Sequence, residues 1–188
     1  MSTDRWVAID FETATREPTS ACALGAAIVE DGAVVETLSW VIRPPFNEYE
    51  YRNTLVHGMS AEDTELAPEF DEIWWEVRQA LEGARLLAHN AAFDMRVLRS
   101  LLETREIAAP NYEYACTLAI ARKALPDLRR HTLDLVCDHC GIALRHHDAA
   151  SDAEGCARIA LTCAAASGAS SLSDALQLLG LAPRTLFG

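Results

Sequence analysis

The sequence predicts a mixed α/β domain in which helices cover both faces of one sheet. Its 188 residues are close to the ~150 that one domain usually contains, and 50% of them are hydrophobic, which suffices for a sizeable core. Three strand-like runs open the chain, and two of them flank a hairpin signal. Strand-like and helical patterns alternate afterwards, which is typical of a sheet whose first strands are antiparallel and whose later strands are parallel.

The first third of the chain predicts three antiparallel strands. The three runs are rich in strand-forming side chains and span residues 5–11, 21–30 and 33–42. Asp31-Gly32, between the second and third runs, fits a two-residue hairpin turn. The next stretch, residues 46–58, shows no apolar period, so we expect a surface loop there.

The remaining chain predicts strand–helix units and a short tail. Ser60 followed by Asp63 is a capping-box pattern that starts a helix, and residues 69–81 carry apolar side chains at helical spacing. The other predicted strands are 84–88 and 112–117, and the other predicted helices are 91–102, 117–125, 132–140, 148–166 and 171–179. We therefore expect one domain over residues 1–168 and a C-terminal helical tail, 169–188, packed on it.

Composition limits the possible functions. The longest run without a polar or charged side chain, residues 21–29, is far shorter than the ~20 residues of a membrane-spanning helix. No basic region followed by a long apolar stretch opens the chain, so we expect no secretory signal and a cytoplasmic location. The net charge of −12 argues against a surface that grips nucleic acid everywhere. A local basic patch would be needed, and the best candidate contains Arg129 and Arg130.

Asp10 and Glu12 form the first of three acidic clusters. They lie two residues apart at the end of a predicted strand, so both side chains project from the same face and can converge on one point. A strand end that turns polar as it meets solvent would explain the pair equally well. The pair alone therefore does not identify a site.

The other two clusters each place an acid in the first turns of a helix. In residues 89–94, Asn90 is the expected helix cap and Asp94 lies in the first turn, an arrangement also common in ordinary proteins. In residues 147–152, a histidine precedes a helix and an acid lies just over one turn inside it. The alternative for this last segment is that Asp148 caps the helix and its neighbours are solvated.

Taken together, the three clusters resemble the motifs of the DEDDh 3′-to-5′ exonucleases, which include the epsilon subunit of DNA polymerase III and ribonuclease T. The order and spacing of Asp10-Phe11-Glu12-Thr13, of 89–94 and of 147–152 match that family throughout. The resemblance spans roughly residues 5–167 and includes the segment Val56-His57-Gly58-Met59 and the Leu-x-x-Leu-Cys-like helix within 133–142. It implies a ribonuclease H-like fold. Many members continue the first motif with Thr-Thr-Gly, whereas this chain has Thr13-Ala14-Thr15, a difference that bears on substrate preference.

The resemblance implies a hydrolase that removes nucleotides from nucleic-acid 3′ ends, most simply DNA ends in proofreading or repair. Hard divalent cations prefer carboxylate oxygens, so two Mg²⁺ or Mn²⁺ ions are the implied cofactors. Their expected ligands, which also count as catalytic residues, are Asp10, Glu12, Asp94 and Asp152. His147 is the expected general base, because an imidazole of ordinary pKa near ~6.5 is neutral at the working pH. The expected substrate contacts are Thr13, Asn90, His57, Arg129 and Arg130.

Other interpretations stay open at this stage. The same acids would serve an exoribonuclease acting on RNA 3′ ends, and an inert polymerase-accessory domain would keep the fold. Cys137-x-x-Cys140 with His146, Cys156 or Cys163 could instead hold a structural zinc ion. Residues 177–181 loosely resemble the peptides that bind sliding clamps. A DNA polymerase, a sliding clamp and a second copy of the chain are thus the candidate protein partners, and no membrane partner is expected.

Overall fold

The structure is a computed structural model that describes residues 4–188. Six strands form one sheet: β1 (Trp6–Thr13), β2 (Ala21–Glu30), β3 (Ala33–Val41), β4 (Arg85–Ala88), β5 (Glu113–Cys116) and β6 (Arg184–Thr185). Their order across the sheet is β3-β2-β1-β4-β5-β6. The pairs β3-β2, β2-β1 and β5-β6 are antiparallel, and β1-β4 and β4-β5 are parallel. Asp31 and Gly32 join β2 to β3 with positive φ angles, as a tight hairpin turn requires.

Residues 4–188 contain eight helices, and six of them, α3 to α8, pack on the two faces of the sheet. They are α1 (Tyr51–His57), α2 (Ala61–Thr64), α3 (Phe70–Leu81), α4 (Ala92–Thr104), α5 (Thr117–Ala124), α6 (Leu133–Cys140), α7 (Ala149–Ala166) and α8 (Leu172–Leu178). One hydrophobic cluster joins α3 and α4 to the sheet, and a second joins α5 to α8 to its opposite face. The predicted α/β class, with antiparallel strands first and helices on both faces, is confirmed. No helix in this described part is long and apolar enough to cross a bilayer.

The stretch 46–58, predicted as a surface loop, is in part helical, so that prediction is wrong. Residues 45–47 form a short 3-10 turn, and Tyr51–His57 forms α1, which ends at Gly58 with a left-handed φ of 77°. None of the residues of α1 is buried. Since a helix that buries no stripe of side chains needs no apolar period, its sequence carries none of the signal used to predict helices.

The last twenty residues pack on the sheet and on α7. The backbone N–H of Leu172, at the start of α8, donates to Asp4 Oδ2 at 2.9 Å. Leu176 is buried in the second hydrophobic cluster, and Leu186 is buried in the first. The two-residue strand β6, absent from the sequence prediction, pairs with β5. The segment that resembles a clamp-binding peptide is therefore folded against the domain, although Leu178 within it is exposed.

Candidate active site

The end of β1 presents two carboxylates to the face covered by α7. Trp6 and Ala8 belong to the hydrophobic cluster on that face, whereas Val7 and Ile9 belong to the opposite cluster. Asp10 and Glu12 continue the even-numbered positions, so the period of two places both on the α7 side. The expected shared face of this pair is thus what the structure shows.

Gly25 allows α7 to approach that pair. It lies on β2 directly opposite Asp10, and a Cβ atom built on it would lie 2.0 Å from the carbonyl oxygen of Ala149. No other residue could occupy this position without moving either β2 or the start of α7. The contact brings Asp152, one turn into α7, into a cluster with Asp10 and Glu12 in which single oxygens lie within 4.8 Å of one another.

Asp94 enters the site from the first turn of α4. Its side chain is only 2% exposed, and its Oδ1 accepts a hydrogen bond from the Phe11 backbone N–H at 3.0 Å. This bond ties the second acidic cluster to the first. Asn90 does not cap the helix as expected: it adopts a left-handed φ of 64°, its side chain is exposed, and Ala91 occupies the cap position.

Burial raises the pKa values of all four carboxylates in the absence of cations, and the charges of neighbouring carboxylates raise those of Asp10 and Glu12 further. Burial and the charges of Asp94, Asp152 and Glu12 raise the pKa of Asp10 well above its usual range. Burial, Asp152 and Asp94 raise the pKa of Glu12 to about 8, and burial raises that of Asp94 to about 7. Burial also raises the pKa of Asp152, whose Oδ1 is buried without a hydrogen-bond partner in residues 4–188. The cluster therefore favours protons or cations among its oxygens.

The third cluster places two histidines above this site. His146 and His147 are the central residues of a turn closed by a hydrogen bond from Asp148 N–H to the Arg145 carbonyl, 3.1 Å. Their rings stack with centroids 3.9 Å apart. His147 Nδ1 lies 4.0 Å from Glu12 Oε1, so the predicted base stands at the edge of the carboxylates. Asp148 accepts a bond from Ser151 N–H and caps α7.

Asp152 is held by the turn that precedes its helix. Its Oδ2 accepts hydrogen bonds at 3.0 Å from His146 Nδ1 and from the His147 backbone N–H. The side chain is 2% exposed, so the alternative in which it is merely solvated is wrong. From the sequence, His146 is a candidate only for a zinc site beside cysteines; its position next to the histidine of the motif is the signal for its contact with Asp152.

Thr13 and His57 contact each other at the rim of the site. Thr13 is buried, and its carbonyl oxygen accepts bonds from Asn53 Nδ2 at 2.7 Å and His57 Nε2 at 3.3 Å. His57 Nδ1 accepts from Met59 N–H, which places the ring proton on Nε2. Both nitrogens of this imidazole thus bond to backbone and anchor α1. Asn53, which the sequence analysis missed because nothing in its surroundings is periodic, serves the same anchoring.

Arg129 and Arg130 lie in the exposed loop 125–132, here called the basic loop, between α5 and α6. The loop is fixed to the end of β4 through His89. The Nε2 of His89 donates to the carbonyl oxygen of His131 at 2.8 Å, and its Nδ1 lies 2.9 Å from Thr117 Oγ1. Since His89 directly precedes Asn90, the basic loop is anchored next to the segment that carries Asn90 and Asp94.

The proposed cysteine site is not assembled among the described residues. Cys137 is buried in the hydrophobic cluster against α7, and burial raises the pKa of its thiol to about 12. The candidate metal clusters in residues 4–188 combine only histidines and acids: His146, His147 and Asp152, and Asp10, Glu12 and Asp152. Cys137 therefore behaves as a small hydrophobic side chain.

Comparison with known proteins identifies the family to which the chain belongs. The family model described as Exonuclease matches residues 7–160. The chain is 33% identical over 161 residues to the PolC-type DNA polymerase III of Thermotoga petrophila, covering 83% of this chain and 12% of that protein. It is 29% identical over 160 residues to the 3′-5′ exonuclease DinG of Bacillus subtilis, covering 82% of this chain and 17% of that protein. The chain therefore spans less than a fifth of either relative.

Solved structures share the fold at low sequence identity. Exonuclease X, solved in complex with 5′ overhanging duplex DNA, superposes with a TM-score of 0.74 at 19% identity, covering 93% of this chain and 99% of that chain. The nuclease domain of 3′hExo, described as a DEDDh family member bound to rAMP, gives 0.74 at 16% identity, covering 90% and 95%. These likenesses confirm the ribonuclease H-like fold.

Proposed function

The chain belongs to the DEDDh 3′-to-5′ exonuclease family, and from its site we propose that it hydrolyses the terminal phosphodiester bond at DNA 3′ ends. The family prediction made from the acidic motifs is thereby confirmed. The observation that carries the proposal is the convergence of Asp10, Glu12 and Asp152, from β1 and α7, beside the buried Asp94 of α4. Within residues 4–188, Asp152 Oδ1 is buried without a hydrogen-bond partner. An ordinary protein core does not gather uncompensated acids in this way.

The donor set fits the divalent metal ions that the family implies. All four carboxylates offer hard oxygen ligands, and their raised pKa values indicate that positive charge among them would be strongly favoured. The proposed ligands are Asp10, Glu12, Asp94 and Asp152, with Mg²⁺ or Mn²⁺ as the ions. Bound there, two such ions would supply a nucleophilic water, neutralise the transition state and stabilise the leaving oxygen.

His147 is the proposed acceptor of the proton that the attacking water loses. Burial and the neighbouring His146 lower its pKa, so the ring is neutral near pH 7 and a nitrogen can accept. The left-handed φ of 68° at His147 belongs to the turn that carries this ring. Its backbone N–H, bonded to Asp152, fixes the main chain of His147 relative to the carboxylates.

DNA is the proposed substrate, and RNA is the second candidate. The names of the relatives, a DNA polymerase III and DinG, favour DNA, and exonuclease X was solved with DNA. The 3′hExo domain bound to rAMP supports the alternative. Asn90, Arg129 and Arg130 are proposed to contact the substrate, because all three are exposed and the basic loop is bonded to His89, the residue before Asn90. Association with a DNA polymerase, dimer formation and a cytoplasmic location also stay proposals.

A panel of end-labelled substrates tests this function. We expect stepwise shortening of single-stranded DNA and of mismatched duplex DNA from the 3′ end with Mn²⁺, and slower loss from RNA of the same sequence. A 3′-phosphate or a circular strand should resist. The Asp10→Asn protein, purified in parallel, controls for contaminating nucleases. Cleavage of circular DNA at the rate of linear DNA would contradict an exonuclease, and faster degradation of RNA would contradict the choice of DNA.

A further inference from the structure

We propose that His146, His147 and Asp152 form a second metal site, selective for a nitrogen-preferring transition-metal ion such as Zn²⁺. Each residue offers one ligand atom, and these three atoms lie within 4.8 Å of one another. Two imidazoles and one carboxylate are a frequent set of protein ligands for zinc, with a fourth position left for water. His146 has no place in the proposed catalytic machinery, so the site differs from the carboxylate cluster in composition.

The geometry already approaches that of a zinc centre. His146 Nδ1 and Asp152 Oδ2 are 3.0 Å apart. Ligand atoms at about 2.0 to 2.1 Å around a tetrahedral zinc ion would lie about 3.3 Å from each other. The His146 and Asp152 ligand atoms therefore need to move apart only slightly to bind a zinc ion. The side chain of His147 is 40% exposed and can rotate toward the same point without disturbing the core.

The turn that carries the two histidines explains why both rings face one side. Side chains of successive residues in an extended chain point in opposite directions, which would separate the imidazoles. Here His147 has a φ of 68°, a left-handed conformation that is uncommon outside glycine, asparagine and aspartate. The rings stack at 3.9 Å with an interplanar angle of 21° as a result. The turn thus places two imidazole ligands beside one carboxylate.

The two sites should exclude each other. Asp152 is common to both clusters, and His147 is the proposed proton acceptor of the reaction. Zinc binds imidazole nitrogen more strongly than Mg²⁺ or Mn²⁺ does, so it should select the histidine site over the all-oxygen site. Occupation would then withdraw one carboxylate and the proton acceptor together. The inhibition that this predicts rests on the proposed function, whereas zinc binding itself does not.

The test uses a variant that keeps the bond to Asp152 but loses the ligand. In His146→Asn, the amide nitrogen can replace Nδ1 as donor, while an amide is a poor zinc ligand. We expect calorimetric titration of the full chain in the absence of nucleic acid to show Zn²⁺ binding that His146→Asn weakens at least tenfold. Co²⁺ should give ligand-field bands of nitrogen coordination in the wild-type protein but not in His146→Asn. His139→Asn, an exposed histidine on α6, is the matched control and should behave as wild type.

Activity provides the second readout. With Mn²⁺ at saturation, micromolar Zn²⁺ should inhibit the wild-type and His139→Asn proteins, and at least tenfold more should be needed for His146→Asn. Equal zinc affinity and equal inhibition in all three proteins would place zinc among the carboxylates and overturn the proposal. If no protein degrades DNA but the zinc affinities differ as expected, the metal site stands and the proposed function fails.

Discussion

Replacing Glu12 by glutamine should remove a pH dependence from the stability of the metal-free protein. The pKa of Glu12 is about 8 in the folded chain, against an ordinary 4.5. A carboxyl group whose pKa is higher in the folded state binds protons more tightly there. The free energy of unfolding contributed by this group therefore falls as pH rises from about 4.5 to about 8. Glutamine has a similar shape and no charge, so it lacks this loss.

The size of the effect follows from these two pKa values. Each pKa step corresponds to about 1.4 kcal/mol, so ionised Glu12 costs the folded protein up to about 5 kcal/mol at pH 9. Neighbouring carboxylates exchange protons with Glu12, since Asp94 also has a raised pKa of about 7. About half of the cost, ~2.5 kcal/mol, should therefore appear in the single variant. Most substitutions destabilise by about 1 kcal/mol, so a stabilising one is a discriminating result.

Urea unfolding in the presence of a chelator, from pH 5 to pH 9, measures this difference. Wild-type and Glu12→Gln proteins should be nearly equal at pH 5, and the variant should be the more stable at pH 9. Glu36→Gln, at an exposed glutamate of β3, is the matched control and should follow wild type. Excess Mn²⁺ should reverse the order, because only wild type keeps all four ligands. Parallel pH curves for wild type and Glu12→Gln would refute the reasoning.

Three further predictions follow from the same geometry. His147→Ala should lower the single-turnover rate by roughly 10² to 10⁴ while leaving Mn²⁺ affinity nearly unchanged, whereas Asp152→Asn should lose both; equal loss of metal would make His147 a ligand rather than a base. Gly25→Ala places a Cβ 2.0 Å from a backbone oxygen of α7 and should cost at least about 10² in rate, with circular dichroism to confirm folding. Arg129→Ser and Arg130→Ser should each weaken DNA binding and reduce by about one the slope of log affinity against log salt concentration, without changing the rate at saturating DNA. An unchanged slope would show that the basic loop does not contact the DNA phosphates.

The fold could be predicted wherever burial is periodic. Residues of β1 alternate between two hydrophobic clusters, and α3 buries one stripe of side chains. The spacing of apolar residues in the sequence therefore predicts both elements. The helix α1 buries nothing and lies where the sequence predicts a loop. The strand β6 has two residues, too few for any alternation, and its position depends on pairing with β5. Periodicity detects burial rather than hydrogen bonding, which is why these two elements escape it.

The site shows a similar division between local and long-range causes. Spacing alone predicts that Asp10 and Glu12 share a face, because the strand imposes it. Their approach to Asp152 depends instead on the packing of β2 against α7, where Gly25 leaves room for a backbone oxygen. A glycine within a strand-like run predicts only a weaker strand or a bulge, so its partner cannot be read from the sequence. Only the resemblance of the whole set of acids supplied that long-range information.

Packing around the site also explains how the folded protein tolerates the repulsion among its four carboxylates. Asp94 and Asp152 are each 2% exposed, and the helices that carry them pack on the sheet through the two hydrophobic clusters. The apolar area buried by those clusters, at ~25 cal/mol per Å², offsets the cost of bringing four acids together. Metal binding would then relieve a strain already present in the folded protein. Variants in which these acids are replaced by neutral residues should accordingly be more stable without metal and less active. This is the relation between stability and activity expected of a site that requires bound cations.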